Sequence, residues 1–248
     1  MPLAAPAEIQ GYYRDREVVA RYLERRTAQP LNGTLHAAQV RFLRRLIAER
    51  APQRVLEIAP GPARLTAELP LPGLGLALEY SEGMLAAASD RITPTSHWRL
   101  ARADAFHLPV RDGQADLVFT LRFIRRFQAA DRQRVYAEIH RVLKPGGSLV
   151  LDAQNRAVAL PHRLERGLEK YPVHDELYDR PQLEAELVAA GFRVRHLEGM
   201  IRHARLQRSL NRLRRVRLSA VARALIAVLE HVPSANPSTW MVLCEKTG

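Results

Sequence analysis

The sequence is poor in cysteine, in lysine and in long apolar runs. Cys244 is the single cysteine of 248 residues, so no intrachain disulfide can form, and no cysteine and histidine array has the spacing of a structural zinc site. No run approaches the roughly 18 to 20 apolar residues that a membrane-spanning helix requires. The first ten residues contain neither a basic n-region nor an apolar h-region, so we expect a cytoplasmic protein. With 47% hydrophobic side chains, the chain can bury one sizeable core.

Positive charge is concentrated towards the C-terminus. Arginine and lysine number 38 against 26 acids, a formal charge of +12, and only three of the cations are lysines. Residues 201–248 hold nine cations and two acids, which leaves +7, whereas residues 1–200 hold 29 cations and 24 acids, which leaves +5. The basic character is therefore mostly local.

Short apolar runs alternate with helical stretches after residue 52. The runs RVLEI, LGLALE, WRLARAD, ADLVFT and GSLVLD are typical of buried parallel strands. Helices are predicted between and after them over 62–69, 81–89, 129–143 and 179–190, and two later strands over 192–198 and 239–246. This alternation predicts an α/β fold with a right-handed, doubly wound sheet.

The remaining segments complete the predicted organisation. Two N-terminal helices are predicted over 8–26 and 35–50, the second with Thr34 at its N-cap. The expected parts are an N-terminal helical cap over 1–51 and a sheet domain over 52–248, in which a lid region spans 153–178 and an arginine-rich helical insertion spans 201–232.

Acidic side chains stand at the ends of the first three predicted strands. Ligands of an open parallel sheet bind beyond the carboxyl ends of the strands. Glu57 precedes a turn of small residues, Glu79 can accept both hydroxyls of a ribose, and Asp104 is positioned for an adenine amino group. A nicotinamide dehydrogenase would share the first two features, but its pyrophosphate requires G-x-G-x-x-G, of which only Gly61 is present. A cofactor with adenosine and no phosphate fits the pattern better.

Five motifs in order resemble those of class I S-adenosylmethionine-dependent methyltransferases, in the subgroup of ubiquinone/menaquinone methyltransferases and many small-molecule methyltransferases. The segments are VLEIAPGPARLTAEL, LALEYSEGMLAAA, ADAFHLPVRDGQADLVFTLRFIRRF, which covers two motifs, and EIHRVLKPGGSLVLD. The resemblance covers about residues 52–200 and the last strand. It implies a Rossmann-like, seven-stranded sheet that is mostly parallel, with TWMVLCEK as a reversed last strand.

The resemblance also implies a cofactor, S-adenosylmethionine, and methyl transfer to a small-molecule acceptor that can be lipophilic. The implied cofactor residues are Glu57, Ala59 and Gly61 at the methionine side, Glu79 at the ribose, Tyr80 against the adenine, Asp104 and Ala105 at the adenine edge and Leu121 at the sulfonium. The sequence departs from the family where Gly-x-Gly-x-Gly is replaced by Ala59-Pro60-Gly61-Pro62-Ala63, and where IRRF at 124–127 replaces a histidine pair.

Acceptor-side groups are expected from Tyr12, Tyr13, Arg122, Phe123 and the segment 153–178. Methyl transfer from a sulfonium mainly requires a nucleophile that is close, aligned and dry. A general base is needed only where the acceptor keeps its proton. The sequence therefore identifies no catalytic residue, and it contains no metal site.

The arginine-rich segment leaves several interpretations open. It holds eight arginines and no acid before Glu230, and a helical wheel places Leu206, Leu210, Leu213, Val221, Leu225 and Val228 on one side. A solvated helix packed on the sheet, contact of 202–217 with an anionic membrane, and binding to RNA or an acidic protein all fit. RNA methylation and a non-catalytic cofactor-binding module are the alternative functions. Scarce aromatics disfavour base stacking.

Overall fold

The computed structural model describes residues 3, 5–12, 29–93, 96–212 and 219–248, and its strands form one twisted sheet. The strands are β1 (Arg54–Ile58), β2 (Leu74–Glu79), β3 (Trp98–Arg102), β4 (Ala115–Thr120), β5 (Leu143–Asn155), β6 (Leu177–Tyr178), β7 (Phe192–Met200) and β8 (Thr239–Lys246). Their order is β3-β2-β1-β4-β5-β8-β7, and β6 pairs with the end of β5. Strand β8 runs antiparallel to both neighbours. The expected doubly wound sheet with a reversed last strand is confirmed, with β6 as an addition.

Helices cover the sheet on both sides. They are α1 (Pro6–Tyr12), α2 (Pro30–Arg50), α3 (Glu82–Ser89), α4 (Ala129–Val142), α5 (Arg156–Arg166), α6 (Arg180–Ala189), α7 (Ala204–Leu210) and α8 (Ser219–His231). Pro30 begins α2, where its fixed φ is favourable, and the hydroxyl of Ser81 accepts the Met84 N–H at the start of α3. No helix in the described ranges is long and apolar enough to cross a membrane.

The hydrophobic core lies in two layers because successive strand residues face opposite sides of the sheet. Val118 of β4 packs in the layer formed with α4 and α6, whereas its neighbours Leu117 and Phe119 pack in the layer formed with α2. All three are at most 2% exposed. The sheet is therefore buried on both sides, as a parallel sheet requires.

Three predicted segments differ from the structure. The second helix begins at Pro30, so Thr34 is not its N-cap; the Thr34 hydroxyl instead donates to the Pro30 carbonyl oxygen inside the helix. The predicted helix 62–69 is a series of turns that ends in one 3-10 turn, Thr66–Glu68, because Gly61 and Ala63 adopt positive φ. The region 153–178, expected as a loop or lid, contains α5, whose N-terminus is capped by the Asn155 side chain through the Ala157 N–H. The continuation of the first predicted helix over 13–28 lies outside the described residues.

The arginine-rich insertion also differs from the single helical wheel. It contains two helices, α7 and α8, and residues 213–218 between them lie outside the described ranges. Ala222 and Ile226 of α8 are fully buried. Four residues that the helical wheel places on its apolar side are exposed to solvent, at 42–63%: Leu206, Val221, Leu225 and Val228. The helical wheel does not identify the buried side, because it treats two separate helices as one continuous helix.

Candidate functional site

A deep pocket lies at the carboxyl ends of β1 to β4. Its empty volume is about 1210 Å³, including solvent at its mouth. Helices α1 and α2 contribute to the wall through Ile9, Gln10 and Gln39.

The three strand-end acids, Glu57, Glu79 and Asp104, line this one pocket. They meet because β1, β2 and β3 are adjacent parallel strands, with Glu57 paired in register with Ala77 and Glu79 with Arg102. Glu57 and Glu79 are 3% and 7% exposed. Burial of carboxyl groups costs free energy that hydrogen bonds or opposite charges must offset. Such a group of acids in a cleft is therefore a candidate binding site.

Glu57 is the most strongly perturbed acid of the pocket. Burial raises its pKa to about 8, although the hydroxyl of Thr66, which donates to Oε2, and the charge of Arg64 both lower it. Burial therefore favours the protonated form of the Glu57 carboxyl group. A cationic ligand group placed beside it would favour the ionised form.

Glu79 connects the second strand to the turn after the first. One carboxylate oxygen accepts the Ser81 N–H at 2.8 Å and the other accepts the Gly61 N–H at 2.9 Å. Burial raises the pKa of Glu79, while these backbone hydrogen bonds lower it. The Tyr80 backbone N–H also donates to this carboxylate. Because a carboxylate has about four acceptor sites, it can still accept from a further donor such as a hydroxyl.

The turn after β1 adopts the backbone conformation of a glycine-rich loop without most of the glycines. Ala59, Gly61 and Ala63 have φ values of 55°, 58° and 52°, in the left-handed region. These are the three positions at which the family pattern has glycine. Alanine in this region is strained by roughly 1–2 kcal/mol per residue. The strain at two alanines marks the turn as a shape that the pocket requires.

The remaining residues expected at the cofactor also line the pocket. These are Tyr80, Ala105 and Leu121. The carboxylate of Asp104 accepts the Phe106 N–H at 3.0 Å, which orders the turn after β3. The structure thus brings together all eight residues that sequence analysis assigned to the cofactor.

The residues expected on the acceptor side are only partly brought together. Arg122 and Phe123 line the pocket. Tyr12 is half-buried at the end of α1 and packs against the core, outside the pocket lining. Tyr13 lies outside the described residues. The described lining contains no histidine, and the described chain contains no cluster of residues that could hold a metal ion.

Gln39 is a pocket residue that sequence analysis missed. It is 2% exposed on α2, and its Nε2 has no hydrogen-bond partner among the described residues. An unpaired buried amide costs about 1–3 kcal/mol. Its helix packs along the turn after β1, because His36, one turn earlier, accepts from Arg64 at 3.2 Å. The available signal was a polar residue inside the apolar stripe of Leu35, Phe42 and Leu46.

Comparisons with known proteins agree with this geometry. Residues 56–151 match the family model described as "Methyltransferase domain". A demethylmenaquinone methyltransferase of Thermus thermophilus is 32% identical over 187 residues, which cover 64% of this chain and 84% of that protein. A malonyl-acyl-carrier-protein O-methyltransferase of Geobacter sulfurreducens is 32% identical over 168 residues, which cover 62% of this chain and 61% of that protein.

A solved structure confirms the fold over nearly the whole chain. Magnesium protoporphyrin IX methyltransferase of Synechocystis PCC 6803, solved with S-adenosylhomocysteine bound, has a TM-score of 0.67 and covers 98% of this chain and 100% of its own. At 12% sequence identity this similarity concerns the fold alone. The Thermus thermophilus relative, at 32% identity over 84% of its length, identifies the chain as a member of the class I S-adenosylmethionine-dependent methyltransferases.

Proposed function

We propose that the pocket binds S-adenosylmethionine through its three acids and that the protein methylates a small-molecule acceptor. The observation that carries this proposal is the convergence of Glu57, Glu79 and Asp104 beside the left-handed turn after β1. Each acid matches a donor group of the cofactor. The unpaired Nε2 of Gln39 supplies a donor in the same pocket.

The amino-acid end of the cofactor fits the pocket between α2 and the turn after β1. Glu57 accepts from the ammonium group. The carboxyl group is available for this role because, among the described residues, no positively charged side chain lies within 4 Å of it. Gln39 and Arg64 donate to the carboxylate. Together they provide one acceptor and two donors for an amino acid, which binds through both charges.

The adenosine end fits the ends of β2 and β3. The carboxylate of Glu79 accepts from the ribose with the acceptor capacity that its hydrogen bonds to the Ser81, Gly61 and Tyr80 backbone leave available. Tyr80 packs against the adenine, and Asp104 and Ala105 contact its edge. Leu121 covers the sulfur end, where an apolar wall excludes water.

The cofactor supplies, when bound, a methyl group on a positively charged sulfur. The protein's part is then to hold the acceptor in line with that group and to keep water out, since proximity and desolvation lower the barrier substantially. Ile9, Leu108 and three phenylalanines provide the apolar wall for this purpose. A wall of this kind suits a small ring or chain better than a nucleic acid strand, whose affinity depends on phosphate contacts.

The names of the relatives support a small acceptor. One relative acts on demethylmenaquinone and another on the malonyl group of an acyl-carrier protein. We infer an acceptor of similar size, and its lipophilic character follows from the aromatic wall.

Calorimetry with S-adenosylhomocysteine tests the proposal. We expect one binding site per chain, and at least about tenfold weaker binding for Glu79→Gln, which keeps the shape and loses acceptor capacity. Glu82→Gln is the matched control, because Glu82 is exposed at the start of α3 and pairs with Arg102. Unchanged affinity in Glu79→Gln, or no binding to the wild type, contradicts the proposal.

A further inference from the structure

The solvent side of α8 carries a stripe of aliphatic side chains. Its positions recur every three or four residues, so they lie on one side of the helix. Their exposed fractions are 42–63%, and we call this set the α8 stripe: Val221, Leu225, Val228 and, directly after the helix, Val232. Three alanines of the same helix are also exposed: Ala220, Ala224 and Ala227. Contiguous exposed apolar side chains of this kind mark an interaction surface.

No acid accompanies the stripe on the solvent side of α8. The exposed polar side chains of this helix are Ser219, Arg223 and His231. Its one acid, Glu230, is 8% exposed and turns inward, where it accepts from the Ile201 N–H at 2.7 Å and from Gln207 Nε2 at 2.9 Å. The surface that α8 presents to solvent is therefore aliphatic, with Arg223 as its only permanent charge.

Arginines without acidic partners accompany this helix. The insertion 201–232 holds eight arginines against Glu230 alone. Five of them lie in the described ranges, where none forms an ion pair with an acid: Arg202, Arg205, Arg208, Arg212 and Arg223. Burial, the largest influence, lowers the pKa of Arg208; Tyr171 and Glu165 raise it, and Arg166 lowers it again. The surroundings of Arg208 thus disfavour its charged form, which an added anion would favour.

The composition of the insertion favours a lipid surface over a macromolecule. Residues 201–232 contain no phenylalanine, tyrosine or tryptophan, whereas the energetic centres of protein interfaces are rich in tryptophan and tyrosine. A second copy would bring arginines against arginines, because a two-fold contact joins the same patch of both chains. Nucleic acid binding relies on phosphate contacts and would leave the stripe in water. An anionic bilayer accommodates both parts, the aliphatic side chains and the guanidinium groups.

The insertion leaves the sheet at the edge that holds the pocket. The end of β7 pairs with Thr239, which also pairs with Gln154 near the carboxyl end of β5. Helix α8 packs on α2. Near the start of α2, the Leu31 N–H donates to Asn211 Oδ1 at 3.2 Å. Gln39 of the pocket lies about 12 Å further along the same helix. A membrane bound through the insertion would therefore lie close to the pocket.

We propose that α8 and the arginines of the insertion bind the surface of an anionic membrane, with the α8 stripe inserted among the lipid headgroups. Helices that bind in this way bury their apolar side roughly 5–10 Å into the headgroup boundary. Each arginine near an anionic leaflet strengthens binding about fivefold, and salt weakens this contribution. Membrane binding requires no cofactor and is independent of the proposed function.

A fluorophore on the stripe tests insertion directly. Because Cys244 is buried, the environment-sensitive label NBD can be attached selectively to Val228→Cys. On vesicles of phosphatidylglycerol and phosphatidylcholine at low salt, we expect its emission to rise at least about twofold and to shift to shorter wavelength. Val188→Cys is the matched control, because Val188 is 65% exposed against 63% for Val228 and lies on α6, which packs on the other side of the sheet. Its emission should not change.

A pair of charge variants tests the role of the arginines. Arg205→Gln combined with Arg212→Gln removes two exposed cations of the insertion. We expect this variant to bind the same vesicles about 25-fold more weakly than the wild type. Arg91→Gln combined with Arg111→Gln removes the same net charge from exposed sites before and after β3, at the opposite edge of the sheet from β7. This control should bind nearly as well as the wild type.

Four results would overturn the inference. The first is unchanged emission from position 228 on the vesicles, or an equal change at position 188. The second is equal weakening in both charge variants. The third is an equal response of the label to polyglutamate, which would assign the surface to an acidic protein. The fourth is emission that rises with protein concentration without lipid, which would assign the stripe to a second copy.

Discussion

Replacement of Glu57 by glutamine should stabilise the ligand-free protein, and the gain in unfolding free energy should increase with pH. Burial raises the pKa of Glu57 from 4.5 to about 8. Between these values the folded chain keeps a proton that the unfolded chain releases, so the stability of the wild type falls as the pH rises from about 4.5 to about 8. Glutamine has a similar shape and no proton to lose, and therefore escapes this penalty.

The expected size follows from the free energy of one pKa unit. Each pH unit inside this window costs the wild type about 1.4 kcal/mol relative to Glu57→Gln. From pH 5.5 to pH 7.5 the difference in unfolding free energy between the two proteins should widen by about 3 kcal/mol. In a chain of this length that corresponds to roughly 6–12 °C in Tm.

Thermal melting without ligand, followed by circular dichroism across this pH range, measures the effect. Glu49→Gln is the control, because Glu49 is exposed on α2, and its difference from the wild type should not change with pH. A gap between the wild type and Glu57→Gln that stays constant with pH would falsify the reasoning, because Glu57 would then be ionised in the empty pocket.

Three other variants probe separate parts of the structure. By calorimetry, Gln39→Leu should bind S-adenosylhomocysteine about tenfold more weakly than the wild type does. Its affinity for 5′-methylthioadenosine, which lacks the amino-acid end, should not change. Equal losses of affinity for both ligands would contradict a contact between Gln39 and the carboxylate of the cofactor. Asp175→Asn should lower the free energy of unfolding, measured by chemical denaturation, by about 3–5 kcal/mol, because its buried arginine partners lose their opposite charge. A loss under about 1 kcal/mol would show that these ion pairs contribute little to stability. The wild-type contribution of Asp175 is lost only as the pH falls below about 3.8 towards 2. If the insertion contacts anionic membranes, phosphatidylglycerol vesicles should sediment the protein at low salt, and Leu225→Ser with Val228→Ser should reduce this; equal sedimentation with uncharged vesicles would exclude a role for charge.

The cofactor end of the pocket could be predicted because it depends on sequence position alone. Parallel strands end at one edge of the sheet, so acids that follow three such strands must approach one another. Glu57, Glu79 and Asp104 satisfy this rule, and the structure places them in one pocket. Their roles toward the cofactor remain a prediction.

Residues placed by packing between distant segments were not predictable in the same way. Gln39 reaches the pocket because α2 lies across the turn after β1, and its helical pattern gives only the buried side. The position of Arg126 depends on Asp175 and on the carbonyl of His174, about 50 residues later in the chain. The predicted helix over 62–69 was wrong at Ala63, because the backbone there is left-handed although the sequence pattern is helical.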